Sequence, residues 1–139
     1  MGSRRQARIV AFQALFSHEM NPRPRSEVVS LDWMDQSERE QLTPDVEFFA
    51  RNIINGTLEH LPEVDKSIKD HLKNWDFDRI GRVDLAILRI STFGLLFLSD
   101  VPPKVTIDEA IDIAKKFGST ESYRFINGVL DGINKETRI

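Results

Sequence analysis

Three arginines stand near the start of the chain, Arg4, Arg5 and Arg8. At helical spacing, positions 4 and 8, and 5 and 8, share a face. A guanidinium is a planar fork that grips phosphate through two N–H bonds and stacks on bases. The chemistry on offer is RNA binding; the competing reading is a solvated helix end. His18, His60 and His71 have no carboxylate or second His at ligand spacing, so they predict neither a metal nor a catalytic site. There is no glycine-rich phosphate loop and no G-x-S-x-G nucleophile turn. The chain has no cysteine, which excludes disulfides and thiolate metal sites. No cofactor and no catalytic residue are expected.

Two further places carry polar residues of interest. Asp84 lies within a strongly apolar stretch, between Val83 and Leu85. It reads either as a partner for Arg82 or another arginine, or a solvent-facing edge, or as an acidic contact on a protein-binding face. Glu121, Ser122 and Tyr123 fall in the first turn of the last helix, where an acid complements the helix dipole. Exposed amides and hydroxyls at such an end also bind phosphate. Structure alone accounts for these residues equally well.

Charge distribution favours a local anion-binding surface. The net charge is −3, yet residues 1–25 carry five arginines against Glu19, a balance of +4 that leaves −7 on the remainder. A basic end on an acidic body suits a localised contact rather than general nucleic-acid binding. At 139 residues, with 40% hydrophobic and 29% charged, the chain is long enough for one soluble domain, taken as 1–139, with its own core. No signal peptide is visible. Leu85 to Leu98, broken by Arg89, Ser91 and Thr92, is too short and polar to span a membrane and reads as a buried core helix.

The elements that position these residues are helical throughout, with no sustained period-2 alternation and no internal repeat. The first helix spans about Arg4 to Met20, with Ile9, Phe12, Leu15 and Phe16 as its stripe, and ends at Asn21-Pro22-Arg23-Pro24. Residues 21–43 predict a short helix and a loop. Thr43-Pro44-Asp45 reads as N-cap, first helical position and acidic first turn, followed by Val46, Phe49, Ala50, Ile53 and Ile54. Pro62 kinks that helix or begins the next, which continues through Val64, Ile68, Leu72 and Trp75. A helix from about Arg79 to Leu98 is apolar around most of its circumference, the pattern of a bundle centre. Thr106-Ile107-Asp108-Glu109 reads as a capping box, with Val105 and Ala110 as staple. Gly118 fits the residue after that helix. Ser119 or Thr120 caps the last helix, and Gly128 within it predicts close approach of a neighbour. The result is an all-α fold, a compact bundle of about seven helices.

Taken together, these residues resemble the NusB family of transcription antitermination and termination factors. The resemblance begins with Arg5-Gln6-Ala7-Arg8 and Ala11-Phe12-Gln13-Ala14-Leu15-Phe16, and resumes with Val83-Asp84-Leu85-Ala86-Ile87-Leu88-Arg89-Ile90. It is densest from Asp100 to Asp131, in D-V-P-P-K-V-T-I-D-E-A-I, A-K-K-F-G and Y-R-F-I-N-G-V-L-D. Residues 21–75 match mainly in helical pattern. The resemblance implies two small helical subdomains and a cytoplasmic, non-catalytic protein. It also implies pairing with NusE, a small-subunit ribosomal protein, on boxA RNA of nascent transcripts, notably ribosomal RNA, within an RNA polymerase antitermination complex. By position it implies RNA contacts at Arg4, Arg5, Arg8, Phe16, Glu121 and Ser122, and NusE contacts at Asp78, Asp84 and Phe125. Phe16 replaces an aromatic that is often Tyr in the family, so stacking is expected there without a hydroxyl. Monomer and homodimer both stay open. A NusB-like domain also precedes the catalytic domain of some RNA cytosine methyltransferases, but 139 residues leave no room for a cofactor-binding domain.

Overall fold

The apolar stripes read above come together in a computed structural model that describes residues 2–73 and 76–137, with side chains from Arg4 onward. Trp75, expected to extend the fifth helix, lies outside the described residues. The helices are α1 (Gly2–Met20), α2 (Arg25–Ser30), α3 (Gln36–Glu40), α4 (Pro44–Glu59), α5 (Leu61–Asp70), α6 (Arg82–Phe97), α7 (Pro103–Phe117) and α8 (Ser122–Thr137). A single 3₁₀ turn, Phe77–Arg79, precedes α6. The described residues contain no strand. The segment 21–43, expected to hold one short helix, holds two.

Prolines and caps set most boundaries. Thr43 Oγ1 accepts the Val46 N–H at 3.3 Å and Pro44 opens α4, as predicted. Pro62 sits in the first turn of α5, so it begins a helix rather than kinking one. Helix α6 starts three residues later than predicted because the 3₁₀ turn intervenes and Gly81 takes the cap position.

Two predicted details are corrected. Helix α7 starts at Pro103, with Pro102 as its cap residue, so Thr106 is not an N-cap. Proline lacks the N–H that a first turn leaves unpaired and already has helical φ, and this moves the start upstream of Thr106. Thr106 is buried instead, its methyl against Gly94 of α6, and Glu109 is released from capping. Gly128 does not admit a neighbouring helix: it is exposed, and a Cβ built there meets nothing within 4 Å. Gly118 does end α7, but with φ −97° rather than a left-handed turn. Its requirement is spatial, since a Cβ would lie 2.6 Å from Ser122 Oγ and 2.8 Å from the Ala114 carbonyl.

Two groups of helices share one core. Helices α1, α2 and α4 pack on one another, and α5, α7 and α8 gather around α6. α1 and α4 also pack on α6, whose run from Leu85 to Gly94 is buried throughout, as expected for the central helix. Ile54, Ile68, Ile87, Leu88, Ile113, Ile126 and Leu130 are among its largest fully buried side chains. A buried ion pair ties this core to its flanking helices. Arg89 of α6 meets Asp65 of α5 through Nε and Nη2, both at 2.9 Å, and Glu19 of α1 through Nη1 at 2.9 Å. Burial works against its charge, but the hydrogen bonds and charge of Asp65, then of Glu19, outweigh it and raise the guanidinium pKa.

Candidate nucleic-acid interface

Packing of α1 along α7 places the candidate residues. Arg5 reaches Glu109 and Asp112, and one turn and more further on Phe12 lies 5.1 Å, centroid to centroid, from Phe117. Both contacts advance in the same sense, so the helices run in the same direction along this seam. Arg4, Arg5 and Arg8 therefore stand beside the first half of α7. Phe16, half-buried and 6.3 Å from Phe12, stands near its end, where Gly118 leads into Ser119–Glu121. Arg5 and Phe16 are separated by about 16 Å of helix axis.

A cleft of about 530 Å³ holds the arginines, with Asp100, Val101, Pro102, Val105, Asp108, Glu109 and Asp112 on its other walls. Arg4 is exposed, its guanidinium 4.4 Å from the centre of the Phe49 ring on α4. Arg8 is 8% exposed, 5.5 Å from the same ring, and has no ion pair within 4 Å among the described residues. Burial lowers its pKa, with Glu109 opposing and Arg4 adding to the fall; an arginine so placed remains charged. Arg5 is paired with two acids: Nε and Nη2 donate to the two Glu109 oxygens at 3.1 and 3.0 Å, and Nη2 donates to Asp112 at 2.6 Å, while its side chain stays 45% exposed. Its pKa is raised, by the Glu109 hydrogen bond first and the Glu109 charge next. The three arginines are thus not a uniform basic patch but one exposed, one buried and one paired.

At the far end, a concavity of about 470 Å³ is lined by Lys115, Ser119, Thr120, Glu121, Tyr123 and Arg124, with Gly118 at its base. Lys115 Nζ lies 5.0 Å and the Arg124 guanidinium 5.6 Å from the Tyr123 ring centre. Glu121 is exposed, 3.8 Å from Arg124. Ser122, expected to touch RNA, is 2% exposed, and its Oγ accepts the Ser119 N–H at 2.9 Å. That bond closes the turn before α8, so Ser122 shapes the turn; α8 begins at Ser122 itself, so neither Ser119 nor Thr120, the caps the pattern predicted, directly precedes it.

The residues expected to meet a protein partner lie elsewhere. Asp78 is exposed in the 3₁₀ turn and Asp84 half-buried in the first turn of α6, where an acid suits the helix dipole. Asp84 makes no ion pair within 4 Å among the described residues, so it is not Arg82's partner. Phe125 on α8 is half-buried against the core. The histidines sit in local contacts: His18 accepts the Arg23 N–H at 3.3 Å, His60 stacks on Phe97 with centroids 4.1 Å apart, and His71 bonds the Ser67 carbonyl at 2.7 Å; contrary to expectation two of them have a carboxylate beside them, Glu63 at 3.2 Å from His60 and Glu136 at 3.3 Å from His71. No cluster of three or more metal-ligating side chains occurs among the described residues.

Sequence reasoning missed Phe49, Glu109 and Asp112. Phe49 reads as part of a core stripe and Glu109 as part of a capping box; Phe49 is revealed only by the packing of α1 on α4, and Glu109 and Asp112 only by the α1–α7 seam.

An all-helical domain built around one central helix, with an arginine-lined cleft and a separate acidic edge, is the class that fold and site define. The chain belongs to the NusB family, whose model matches residues 5–135. It is 46% identical over 132 residues to the transcription antitermination protein NusB of Treponema pallidum, covering 95% of this chain and 92% of that one. The corresponding protein of Geobacter sulfurreducens is 44% identical over 133 residues, with 96% and 94% covered. Among solved structures, T. maritima NusB superposes with a TM-score of 0.83 at 38% identity, covering 96% of this chain and 91% of that one. A structure of NusB and NusE in complex with double-stranded RNA contains a chain that matches with a TM-score of 0.85 at 27% identity, 98% of each chain being covered.

Proposed function

We propose that this protein is a non-catalytic RNA-binding antitermination factor of the cytoplasm. It pairs with a NusE-type ribosomal protein on boxA-type single-stranded RNA and so joins the antitermination complex on RNA polymerase. The observation that carries the reading is the α1–α7 seam. It sets Arg4, Arg5 and Arg8 on a cleft beside α7 and brings Phe12, the ring neighbour of Phe16, against Phe117 at the end of α7. Arginines supply phosphate contacts and the half-exposed aromatic a stacking surface, which is how single strands are held. Glu121 stands beside that path as a negative charge that opposes phosphate, and Ser122 acts through the turn it shapes. Asp78, Asp84 and Phe125 meet the NusE-type partner on the surface made by the start of α6 and by α8. Family membership supports an RNA-binding role paired with NusE, as does the relative solved with NusE and double-stranded RNA. No helix among the described residues is long and apolar enough to cross a membrane.

The test is fluorescence anisotropy of a labelled boxA-type RNA, with and without the NusE-type protein, at two salt concentrations. Binding enhanced by the partner, with a salt slope that falls by about 1 in Arg4→Glu, is expected. Binding of the partner with no effect of RNA overturns the RNA half of the reading.

A further inference from the structure

Arg5 is held in a way that bears on how the cleft accepts a phosphate. A guanidinium offers two bidentate edges that are not blocked by its own chain. Glu109 occupies the Nε–Nη2 edge from a side chain only 11% exposed, which fixes the plane of the group. Asp112, one turn along α7, takes the remaining hydrogen of Nη2 at 2.6 Å. That hydrogen is half of the Nη1–Nη2 edge, the one a second oxyanion needs. The Asp112 side chain is 44% exposed, so it is free to swing into solvent where Glu109 is not. Charge makes the same point. Arg4, Arg5 and Arg8 share their cleft with Asp100, Asp108, Glu109 and Asp112, so four acids face three arginines.

We infer that Asp112 is an internal competitor for phosphate: it occupies the outer edge of Arg5 in the free protein, and an RNA phosphate must displace it to bind there. Glu109 keeps the guanidinium aimed throughout. The device rests on the RNA-binding reading above and deepens it. Its consequence is selectivity, since a weakly held anion or stray RNA does not displace the carboxylate, whereas a strand fixed at several points along the seam does.

The experiment measures anisotropy of the labelled boxA-type RNA with the NusE-type protein, using Asp112→Asn, Asp108→Asn, Arg5→Gln and Arg5→Gln/Asp112→Asn. Asp108 lies on the same cleft but pairs with Lys104 at 3.3 Å, so its variant removes an equal charge without touching Arg5. Asp112→Asn is expected to bind about two- to fivefold tighter, the range that an exposed ion pair allows. Asp108→Asn is expected to gain clearly less, and the double variant to gain nothing over Arg5→Gln. An equal gain in Asp108→Asn, or a gain that survives loss of Arg5, overturns the proposal in favour of a general charge effect. Wild-type binding with no gain in Asp112→Asn sinks the competitor alone, whereas absence of wild-type binding removes the RNA reading as well. Melting curves on each variant separate a binding change from a folding defect, and Arg5→Met replaces Arg5→Gln as background if the latter does not fold.

Discussion

Replacing Arg89 with Met tests whether the buried ion pair holds the two helical groups together. Arg89 and Asp65 have side chains 10% and 18% exposed, while Glu19 is 41% exposed. Removing the guanidinium strands the Asp65 carboxylate in a largely buried position. A buried pair broken on one side costs roughly 3–5 kcal/mol. Glu19 regains water on release, which places Arg89→Met near the lower bound, about 3 kcal/mol. Unfolding entropy of about 2 cal/mol/K per residue gives roughly 0.3 kcal/mol/K for a chain this long, so Tm falls by about 10 °C. Calorimetry or circular dichroism at neutral pH reads the shift. Arg89→Met/Asp65→Leu removes both charges and is expected to recover most of the loss. A fall of under about 3 °C in the single variant would refute the reasoning, because it lies below what a stranded buried charge allows. So would a double variant no more stable than the single.

Two glycines should respond in opposite directions to alanine. Gly128→Ala fills open space on an exposed helical turn and should stabilise by about 1 kcal/mol, whereas Gly56→Ala drives a methyl into the Phe93 ring and should cost about 1–3 kcal/mol; denaturant titration measures both. The Asp32 carboxyl is held below its usual pKa, by the Arg39 hydrogen bond first and Ser30 next. Its contribution is therefore present above the ordinary carboxylate range and lost as pH falls through the lowered value. Asp32→Asn should flatten the acid limb of the Tm–pH profile below about pH 4 and leave the neutral region nearly unchanged. Asp84→Lys should weaken association with the NusE-type partner by more than it lowers Tm. A thermal loss as large as the binding loss would make Asp84 structural.

Helix positions were legible because their determinants are local: Thr43 with Pro44, Pro62, and the stripes of α1, α4 and α6 all act within a turn or two. The start of α7 was misplaced because two local signals competed, and Pro103 outweighed the Thr106 pattern. Gly128 was misread because a glycine's surroundings are a tertiary property. The site was legible in its residue types and not in their state. Arg5 finds its acids more than 100 positions away, and nothing near Arg8 announces that it is nearly buried. Periodicity shows which side of a helix faces inward, but it is silent on which carboxylate a neighbouring helix brings.

The pairing of α1 with late elements also constrains how the chain is made. Glu19 finds Arg89 across 70 positions, and Arg5 finds Glu109 across 104. At ribosomal rates of about 5–20 residues per second, α1 waits roughly 4–14 s for the Arg89 codon to be translated, and longer for α7. Over that interval its apolar stripe has only α2 and α4 to cover it. The first half of the protein should therefore be the stretch that engages chaperones during synthesis, and fragments stopping short of α6 should be cleared by proteases rather than accumulate folded.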